Sequence, residues 1–393
     1  MAKSIAIDVV LPAIVAGGGV NALGVVRSLG QAGVPVSVLD VDQRSPAMRS
    51  RWGAVQVVSS LEGPAFMEEL RRIAAPMGPR VVLFLTEEKT VNTVSELRAS
   101  LPASVLIRLP EHQRLMQLMH KQGFQELAES IGAPVPRTVR LQGSQDLPLV
   151  RALNYPCVLK PSEKSYEYGA RFKKAYKVAS AEEVDVLYRE IEPVFADMVV
   201  QEWIEGADSD IYFCLQYIGR QGQVVSSFPG RKIRSWPPRI GGTASCTAAW
   251  EHAQELSETT ASFFRQVGFT GMGSMEYKRD ARDGLFYMVE PTVGRTDFQQ
   301  EVATVNGCNI PLAAYCHELG LSVPEIFPVS PKCIWRDQQA DRWSRQESGT
   351  EADTRDLDGC PVVDAHWRWN DPLPWVDDFS RRVAGKLMSQ AKK

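Results

Sequence analysis

Two glutamates between residues 271 and 300 have the type and spacing of a metal site. Two predicted strands, Gly273–Arg279 and Leu285–Glu290, are joined by five turn-forming residues that end in glycine, a pattern that suits a hairpin loop. Glu276 and Glu290 are equally distant from Asp283, so we expect their side chains to lie about opposite each other on one face. Facing carboxylates repel each other, and a divalent cation between them would remove that repulsion.

The chemistry of such a site is that of a metal-bound phosphate. Mg²⁺ in proteins is bound by one or two carboxylates together with substrate phosphates. Arg295, five residues after Glu290, could reach the phosphate or the oxyanion beside the metal. Spacing alone leaves the alternative open, namely a surface hairpin with two solvated glutamates.

The composition is that of a soluble globular protein. A chain of 393 residues with 44% hydrophobic and 23% charged residues predicts two or three domains. The formal charge of −3 gives no support to a nucleic-acid or membrane partner. We expect no transmembrane helix and no signal peptide, because there is no apolar run near 18 residues and no cleavage pattern. The seven cysteines lack C-x-x-C spacing, which predicts reduced thiols and a cytoplasmic location.

The first 110 residues predict an open α/β domain with a parallel sheet, because strand-like and helical segments alternate. Asn21 is predicted to cap a helix that runs to about Ala32. The predicted strands are Val9–Val15, Val34–Leu39, Val81–Leu85 and Val105–Ile107.

A dinucleotide-binding site is a poor explanation of the glycines in this domain. Gly17, Gly19 and Gly24 do not have the G-x-G-x-x-G spacing, although Asp40 stands where a ribose-binding carboxylate would. A structural domain whose strand ends line a substrate cleft is the favoured interpretation.

The next segment places two lysines in ordered elements. Lys121 lies in a predicted helix, Glu111–Ile131, and Lys160 ends the strand Tyr155–Pro161, which pairs with Ala175–Val178. The loop between these strands contains four cationic residues, Lys164, Arg171, Lys173 and Lys174. Such a loop could fold over a polyphosphate or simply be solvated.

The strand Met198–Ile204 ends in residues that suit a nucleoside. Gln201 is an adenine-sized polar reader, Trp203 and Ile204 are apolar walls, and Asp208 suits a pair of hydroxyl groups.

A cationic segment, 231–234, follows the predicted strands Asp210–Ile218 and Gln223–Phe228. We expect a kinked loop here, which could serve as an anion site or as a salt-bridged surface loop.

The remaining predictions concern mainly the C-terminal part. Residues 338–358 are polar and are predicted as a surface excursion, whereas the aromatic segment Trp367–Trp375 is expected to pack on the body of the protein. Helices are predicted over Gln254–Val267, Ile310–Leu319 and Asp377–Met388.

Residues 110–310 together resemble the ATP-grasp superfamily, in particular the branch near carbamoyl-phosphate synthetase and D-aspartate ligase. The motifs occur in the order of that family: H-K-Q-G-F at 120–124, P-C-V-L-K-P at 156–161, V-Q-E-W-I-E-G-A-D at 200–208, M-E-Y-K at 275–278 and V-E-P-T-V-G-R at 289–295.

The resemblance implies a mixed α/β fold in three parts. These are an N-terminal domain (1–110), an ATP-grasp domain (111–330) with a small lobe at about 133–198 and a large lobe at about 199–330, and a C-terminal extension (331–393). It also implies a set of site residues. Lys121 and Lys160 would bind the ATP phosphates, and Arg295 would stabilise the phosphate that is transferred. Adenine would be surrounded by Gln201, Glu202, Trp203 and Ile204, and ribose would be bound by Asp208. The metal would be bound by Glu276, Glu290 and Thr292.

The implied activity is ATP-dependent ligation of a small carboxylate to an amine through an acyl phosphate, with Mg²⁺, or Mn²⁺ as a substitute. Arg231 or Arg234 would steer the acceptor carboxylate. A homodimer is common among the enzymes that this chain resembles, and neither a nucleic acid nor a membrane is expected as a partner.

One position departs from the family. Thr292 stands where the family usually has asparagine, so the second metal would be held more loosely, or Asp297 or water would complete its ligands. This departure leaves a non-catalytic ATP-binding sensor as an alternative. A P-loop NTPase is excluded because no G-x-x-x-x-G-K-[ST] string is present.

Overall fold

A computed structural model describes residues 10–162, 165–173, 175–239, 241–348, 357–377 and 379. The chain divides into two compact units. The larger unit is Met1–His120, Ala207–Glu276 and Glu290–Lys393, and the smaller unit is Lys121–Gly206 and Tyr277–Val289. This division does not follow the three predicted parts, which stay a prediction.

The larger unit begins with an open parallel sheet, which confirms the prediction from the alternating pattern. Its five strands lie in the order β3-β2-β1-β4-β5. The strands are β1 (Ala13–Ala16), β2 (Val36–Asp40), β3 (Gly53–Val57), β4 (Val81–Leu85) and β5 (Val105–Leu106), and the helices between them are α1 (Val20–Gly30), α2 (Gly63–Ala74) and α3 (Glu88–Glu96). The sequence does not predict β3, because this edge strand leaves Ala54, Val55 and Val57 exposed and so lacks a buried apolar run.

The second sheet, which lies in the larger unit except for residues 277–279 of β13 and 286–289 of β14, has seven strands in the order β14-β13-β10-β11-β12-β15-β16. The strands are β10 (Ile211–Ile218), β11 (Val224–Trp236), β12 (Gly242–Ala248), β13 (Gly271–Arg279), β14 (Phe286–Val293), β15 (Ile334–Arg336) and β16 (Val362–Asp364). The helices of this part are α8 (Ala253–Gln266), α9 (Glu301–Val305), α10 (Ile310–Leu319) and α11 (Gln338–Ser348). One continuous core joins the two sheets, since Val15 and Phe84 of the parallel sheet belong to the same buried cluster as Phe213 and Trp335.

The smaller unit is a four-stranded sheet with its own core. Its strands lie in the order β6-β9-β7-β8, and are β6 (Thr138–Leu141), β7 (Cys157–Pro161), β8 (Tyr176–Val178) and β9 (Met198–Glu202). Its helices are α5 (Lys121–Ser130), α6 (Tyr166–Gly169) and α7 (Ala181–Ile191). Helix α7 shows why these elements form: the Ser180 hydroxyl caps it by accepting from the Glu183 N–H, and Val184, Tyr188 and Ile191 bury one stripe.

The single helix predicted over 111–131 is wrong. It consists of α4 (His112–Met119) and α5, because His120 has extended backbone angles, with φ −89° and ψ 127°. The boundary between the two units falls after this residue. Helical periodicity continues across His120, so the sequence pattern conceals the break.

The segment 338–358, predicted as a surface excursion or a partly disordered segment, begins with an ordered helix, α11. Its inner face is polar: Asp341 and Ser344 are buried, and Arg234 and Ser245 both bond to Asp341. A hydrophobic pattern therefore cannot reveal this helix. Residues 349–356, Lys164, Lys174 and most of the predicted helix Asp377–Met388 lie outside the described residues.

The aromatic segment Trp367–Trp375 packs on the larger unit as predicted, through a buried ion pair. The Arg27 Nε of α1 donates to Asp371 at 2.9 Å, and both side chains are 1% exposed. Asp371 also accepts from the Ser50 hydroxyl at 2.8 Å and the Arg51 N–H at 2.9 Å. The C-terminal part is thus tied to the parallel sheet by a carboxylate whose hydrogen bonds are satisfied.

Two further findings concern the whole described chain. Among the described residues, no helix combines the length and apolar character needed to cross a membrane. All seven cysteines are free, and six of them are buried.

Replacing Asp371 by alanine is expected to destabilise the larger unit by about 3–5 kcal/mol, because Arg27 is left as a buried charge without its main partner. The midpoint of thermal unfolding, followed by circular dichroism, should fall by roughly 10 °C. The matched control is Glu68→Ala, which removes an exposed ion pair with Arg71 in α2 and should cost less than about 1 kcal/mol. Equal shifts in the two variants would contradict the anchoring role of Asp371.

Candidate active site

The two glutamates of the predicted metal site lie on neighbouring strands, β13 and β14. At the turn, Asp280 N–H donates to the Leu285 carbonyl at 2.9 Å, a pairing that places residue 276 opposite 289. At the other end, Gly294 N–H donates to the Met272 carbonyl at 2.9 Å, which places 276 opposite 290. The pairing therefore shifts by one residue within β14.

A shift of one residue is what a β-bulge produces, and Val289 and Glu290 are two consecutive exposed residues between the two ends. The charge of Glu290 acts on Glu276. The structure thus places the two glutamates on neighbouring strands, close enough for their charges to interact, although the pairing of the strands is not that of a regular hairpin.

Lys232 of β11 is the cation of this cluster. Its ammonium lies 2.7 Å from the Glu276 carboxylate, and the two side chains are 5% and 24% exposed. Burial by itself lowers the pKa of Lys232, but the charge of Glu276, assisted by Asp297 and Glu290, outweighs burial and holds the pKa above its usual value.

Glu276 is the member of the cluster whose ionised form is disfavoured. Burial raises the pKa of its carboxyl, Lys232 lowers it, and the negative charges of Glu290 and Asp297 raise it again, so that the pKa stays above its usual value. The charges of three carboxylates thus act around this one ammonium. Carboxylates gathered in this way are groups that a divalent cation could bind.

The donor set suits Mg²⁺ held jointly with phosphates. Within the described residues, no three His, Cys, Asp or Glu side chains are arranged to hold a metal ion by themselves. Mg²⁺ usually takes only one or two carboxylates from the protein. Thr292 is two residues after Glu290 in β14 and so follows it on the same face.

The sequence suggests Asp297 as a substitute metal ligand, and hydrogen bonds hold its side chain in place. It accepts hydrogen bonds from the Ser274 hydroxyl at 2.9 Å and from Gln299 Nε2 at 3.2 Å. Its charge acts on Glu276 and Lys232. Asp297 therefore belongs to the carboxylate cluster, which we define as Glu276, Glu290, Asp297 and Lys232.

Arg295 lies on a loop that follows Gly294, a position at which the backbone conformation and the close neighbours favour glycine. Gly294 has φ +74°, and a Cβ there would stand 2.7 Å from the Val91 side chain. The Arg295 Nη1 donates to the carbonyl of Thr296 at 3.2 Å. Arg295 is half-buried and immediately precedes the peptide that leads to Asp297.

The segment 231–234 is not the kinked loop expected from the sequence but part of the long strand β11. The pairs with β12 are Arg231 with Thr247, Lys232 with Cys246 and Arg234 with Ser245, with a register shift between Lys232 and Arg234. Paired residues share a face and neighbours alternate. Arg231 and Arg234 therefore point to the face opposite that of Lys232.

Arg234 stabilises structure on that opposite face. It lies 3.1 Å from Asp341 of α11, which also accepts from the Ser245 hydroxyl at 2.7 Å. The structure thus does not bring Arg231 or Arg234 to the carboxylate cluster. Lys232 was missed from the sequence, although the alternation of a strand would have separated it from its two arginine neighbours.

In the smaller unit, Lys160 and Gln201 lie on one face of the paired strands β7 and β9. Val158 pairs with Gln201 and Lys160 with Val199, which makes the two polar residues diagonal neighbours. Lys160 Nζ donates to Gln201 Oε1 at 3.0 Å, and Gln201 Nε2 donates to the Thr138 hydroxyl at 3.1 Å. Gln201 thus holds Lys160, a contact that the sequence does not predict.

The end of β9 uses several of its polar groups within the smaller unit. Glu202 Oε1 accepts from the Asn154 N–H at 2.7 Å. The Trp203 N–H donates to the Pro156 carbonyl at 3.0 Å, and the ammonium of Lys177 lies 4.7 Å from the Trp203 ring centroid. These contacts fix the Trp203 ring beside the half-buried Ile204.

Two other predicted residues have different surroundings. Lys121 is the exposed first residue of α5. Asp208, in the larger unit, accepts from the backbone N–H groups of Ser235 and Arg239 at 3.0 and 2.9 Å. Both of its oxygens therefore hold the connection between β11 and β12.

Replacing Lys232 by methionine is expected to make the stability of the larger unit more sensitive to pH. The folded-state pKa of Glu276 is raised, so its ionisation lowers stability as the pH rises through that pKa, and without Lys232 the loss is larger. The raised pKa of Lys232 contributes stability that is constant well below about pH 10. The melting temperature of Lys232→Met should therefore fall, relative to the wild type, as the pH rises above about 4.3, the ordinary pKa of a glutamate.

The double variant Lys232→Met/Glu276→Gln serves as the control, because it lacks the titrating carboxyl. It should lose most of the added pH dependence. If it keeps the full dependence of the single variant, Glu276 is not the group that Lys232 stabilises.

Comparisons with known proteins agree with this architecture. No protein-family model matches the chain. The D-aspartate ligase of Enterococcus faecium (strain Aus0004) is 24% identical over 318 residues, which cover 76% of this chain and 74% of that protein.

Two solved structures have the same fold. N5-carboxyaminoimidazole synthetase from Staphylococcus aureus, complexed with ADP, has a TM-score of 0.58 at 14% identity and covers 80% of each chain. The biotin carboxylase domain of 2-oxoglutarate carboxylase from Hydrogenobacter thermophilus, with MgADP and bicarbonate, has a TM-score of 0.58 at 13% identity, over 81% of this chain and 72% of that one. The chain therefore has the fold of these proteins, the ATP-grasp fold that the motifs predict.

Proposed function

We propose that this protein is an ATP-dependent carboxylate–amine ligase that forms a C–N bond and releases ADP and phosphate. The observation that carries the proposal is the carboxylate cluster, in which Lys232 forms an ion pair with Glu276 and the charges of Glu290 and Asp297 act on both groups. Gathered carboxylates suit a divalent cation bound to a polyphosphate. The ATP-grasp fold and the similarity to a D-aspartate ligase support the same reaction class.

Mg²⁺ would be held by Glu276 and Glu290, with Thr292 or Asp297 as a further oxygen ligand. When bound, Mg²⁺ supplies neutralisation of the phosphate charge. The solved structure with MgADP supports this pair of cofactors. Lys232 would keep Glu276 ionised, so that the carboxylate is available as a ligand.

The protein residues act mainly by positioning and by charge. Lys160, oriented by Gln201, and Lys121 would bind the phosphates, while Arg295 would stabilise the transferring phosphoryl group. Glu202, Trp203 and Ile204 would surround adenine. To bind ribose, Asp208 would have to accept hydrogen bonds from the ribose hydroxyl groups in addition to those from its two backbone N–H partners.

The reaction has two balanced steps. A carboxylate oxygen of the acid attacks the γ-phosphorus, the bond to the β,γ-bridging oxygen breaks, and ADP leaves with that electron pair. An amine then attacks the carbonyl carbon of the acyl phosphate, loses a proton, and expels phosphate. Neither step needs covalent catalysis by the protein, which agrees with a site made of charged groups.

An amino acid with a side-chain carboxylate, such as D-aspartate, is our first candidate for the acid, on the basis of the relative's name. The amine is of a class that the site residues do not specify. A cytoplasmic location is supported by the seven free cysteines, and the homodimer expected from the resemblance stays a prediction.

The alternative of a non-catalytic ATP sensor rested on Thr292. It finds no support in the comparisons, because the proteins named above are enzymes. Thr292 retains an oxygen on the face of Glu290, so the substitution does not remove a ligand atom.

The test is a screen for ADP formation with Mg-ATP, in which carboxylates including D-aspartate and L-aspartate are offered with hydroxylamine. Hydroxylamine traps an acyl phosphate as a hydroxamate, so the natural amine need not be known. We expect ADP and hydroxamate to form together and only with some acids, and Glu290→Gln to lose about 100-fold or more in turnover with weakened Mg-ATP binding. Glu68→Ala should behave as the wild type.

Three outcomes would overturn the proposal. Full ADP release by Glu290→Gln would remove the metal assignment. AMP in place of ADP would indicate adenylation. Binding of ATP with no ADP formation for any acid would support the sensor.

A further inference from the structure

We propose that Asn21 is a positioning residue for Arg295, and that it acts through the backbone carbonyl of Thr296. The contact geometry is independent of the activity, but the consequence for catalysis rests on the proposed function of Arg295.

Asn21 does not cap α1, contrary to the expectation from the sequence. The residue at the cap is Gly19, which has no side chain to bond the helix. Asn21 is instead 8% exposed and points away from its own helix, with Nδ2 donating to the carbonyls of Thr86 at 2.9 Å and Thr296 at 2.8 Å. Its Oδ1 accepts from the Thr296 hydroxyl at 2.5 Å. Both amide hydrogens and the amide oxygen are therefore used.

The Thr296 carbonyl is the shared element. It accepts from Asn21 Nδ2 at 2.8 Å and from Arg295 Nη1 at 3.2 Å, which uses its two lone pairs. Thr296 is 2% exposed, and its N–H donates to the Leu85 carbonyl of β4 at 3.3 Å. Thr296, whose carbonyl binds the Arg295 guanidinium, is thus held by β4 of the parallel sheet on one side and by α1 on the other.

This arrangement restricts a side chain that is otherwise mobile. A free arginine carries about 2 kcal/mol of rotamer entropy, and one of its Nη atoms is tied here to an immobile carbonyl. The remaining N–H groups keep a defined direction for a phosphoryl oxygen. Asp297 of the carboxylate cluster follows on the same loop, so the position of Thr296 affects both neighbours.

Asn21→Leu keeps the approximate volume and removes all three hydrogen bonds. We expect kcat for ADP formation to fall about 10- to 100-fold, since a displacement near 1 Å has effects of that order, while the KM for ATP changes less than about threefold. Asn21→Asp supplies a second variant: an ionised carboxylate cannot donate to the two carbonyls, whereas a protonated one can donate to one. Its deficit should therefore shrink as the pH is lowered.

Ser28→Ala is the matched control. Ser28 lies in the same helix, is buried, and its hydroxyl bonds to the Thr304 hydroxyl at 2.7 Å. It therefore also links α1 to the C-terminal half of the larger unit, but it contacts no residue between Arg295 and Asp297. We expect Ser28→Ala to lower thermal stability without changing kcat.

The deciding measurement does not depend on activity. The Nε–Hε resonance of Arg295 is observed in the ¹⁵N-labelled full chain and assigned by its absence in Arg295→Lys. It should move or broaden in Asn21→Leu and stay in place in Ser28→Ala. If Asn21→Leu does not fold, the same shift should appear in Asn21→Asp and diminish on acidification.

An unmoved resonance in a folded Asn21 variant would overturn the positioning role, whether or not the wild type forms ADP. An unchanged kcat in an active enzyme would do the same. A wild type that forms no ADP with any acid would refute the proposed function, and the resonance would still decide the role of Asn21.

Discussion

Like-charge repulsion among three carboxylates is the constraint on which the candidate site depends. Glu276, Glu290 and Asp297 come from two neighbouring strands and the loop after them, and one buried ammonium, that of Lys232, opposes them. Separately these groups would be solvated. Held together by the fold, they repel one another, and a divalent cation between them would relieve that repulsion.

The surrounding structure holds these groups in place against their repulsion. The pairing of β13 with β14 places Glu290 on the strand beside Glu276, and strand alternation in β11 turns Lys232 towards the same cluster while Arg231 and Arg234 face away. The loop with Arg295 and Asp297 is fastened to the parallel sheet through Thr296. Polar groups fixed by the fold in this way are what electrostatic catalysis, the proposed role of the site, would require.

Buried ion pairs also bind the C-terminal part into the larger unit. Arg27 meets Asp371, and Arg234 meets Asp341, each pair with additional hydrogen bonds that satisfy the carboxylate. Buried pairs of this kind need such extra bonds to offset the loss of hydration. They explain how a polar C-terminal segment packs closely without a long apolar pattern.

How much the sequence could predict depends on whether the residues that determine each feature are close together in the chain. Strand β4 and helix α10 have the predicted bounds, because a continuous apolar run reveals each of them. Glu276 and Glu290 lie on neighbouring strands as the hairpin pattern predicts, because a short hairpin is a local structure, and their role as metal ligands stays a prediction. Helix α11 and the role of Asn21 are not predicted, because each depends on a partner far away in the chain: Asp341 needs Arg234, and Asn21 needs Thr296. The break at His120 is concealed by helical periodicity that continues across it.

The central claim is that Glu276 and Glu290 together hold the metal of a bound nucleotide. Anomalous diffraction from crystals grown with Mn²⁺ and a non-hydrolysable ATP analogue tests it most directly. The account predicts a manganese peak within about 2.5 Å of carboxylate oxygens of both glutamates and of a phosphate oxygen. A manganese ion bound to the phosphates while both carboxylates point elsewhere would contradict it. Carboxylates that still contact only Lys232 would contradict it as well.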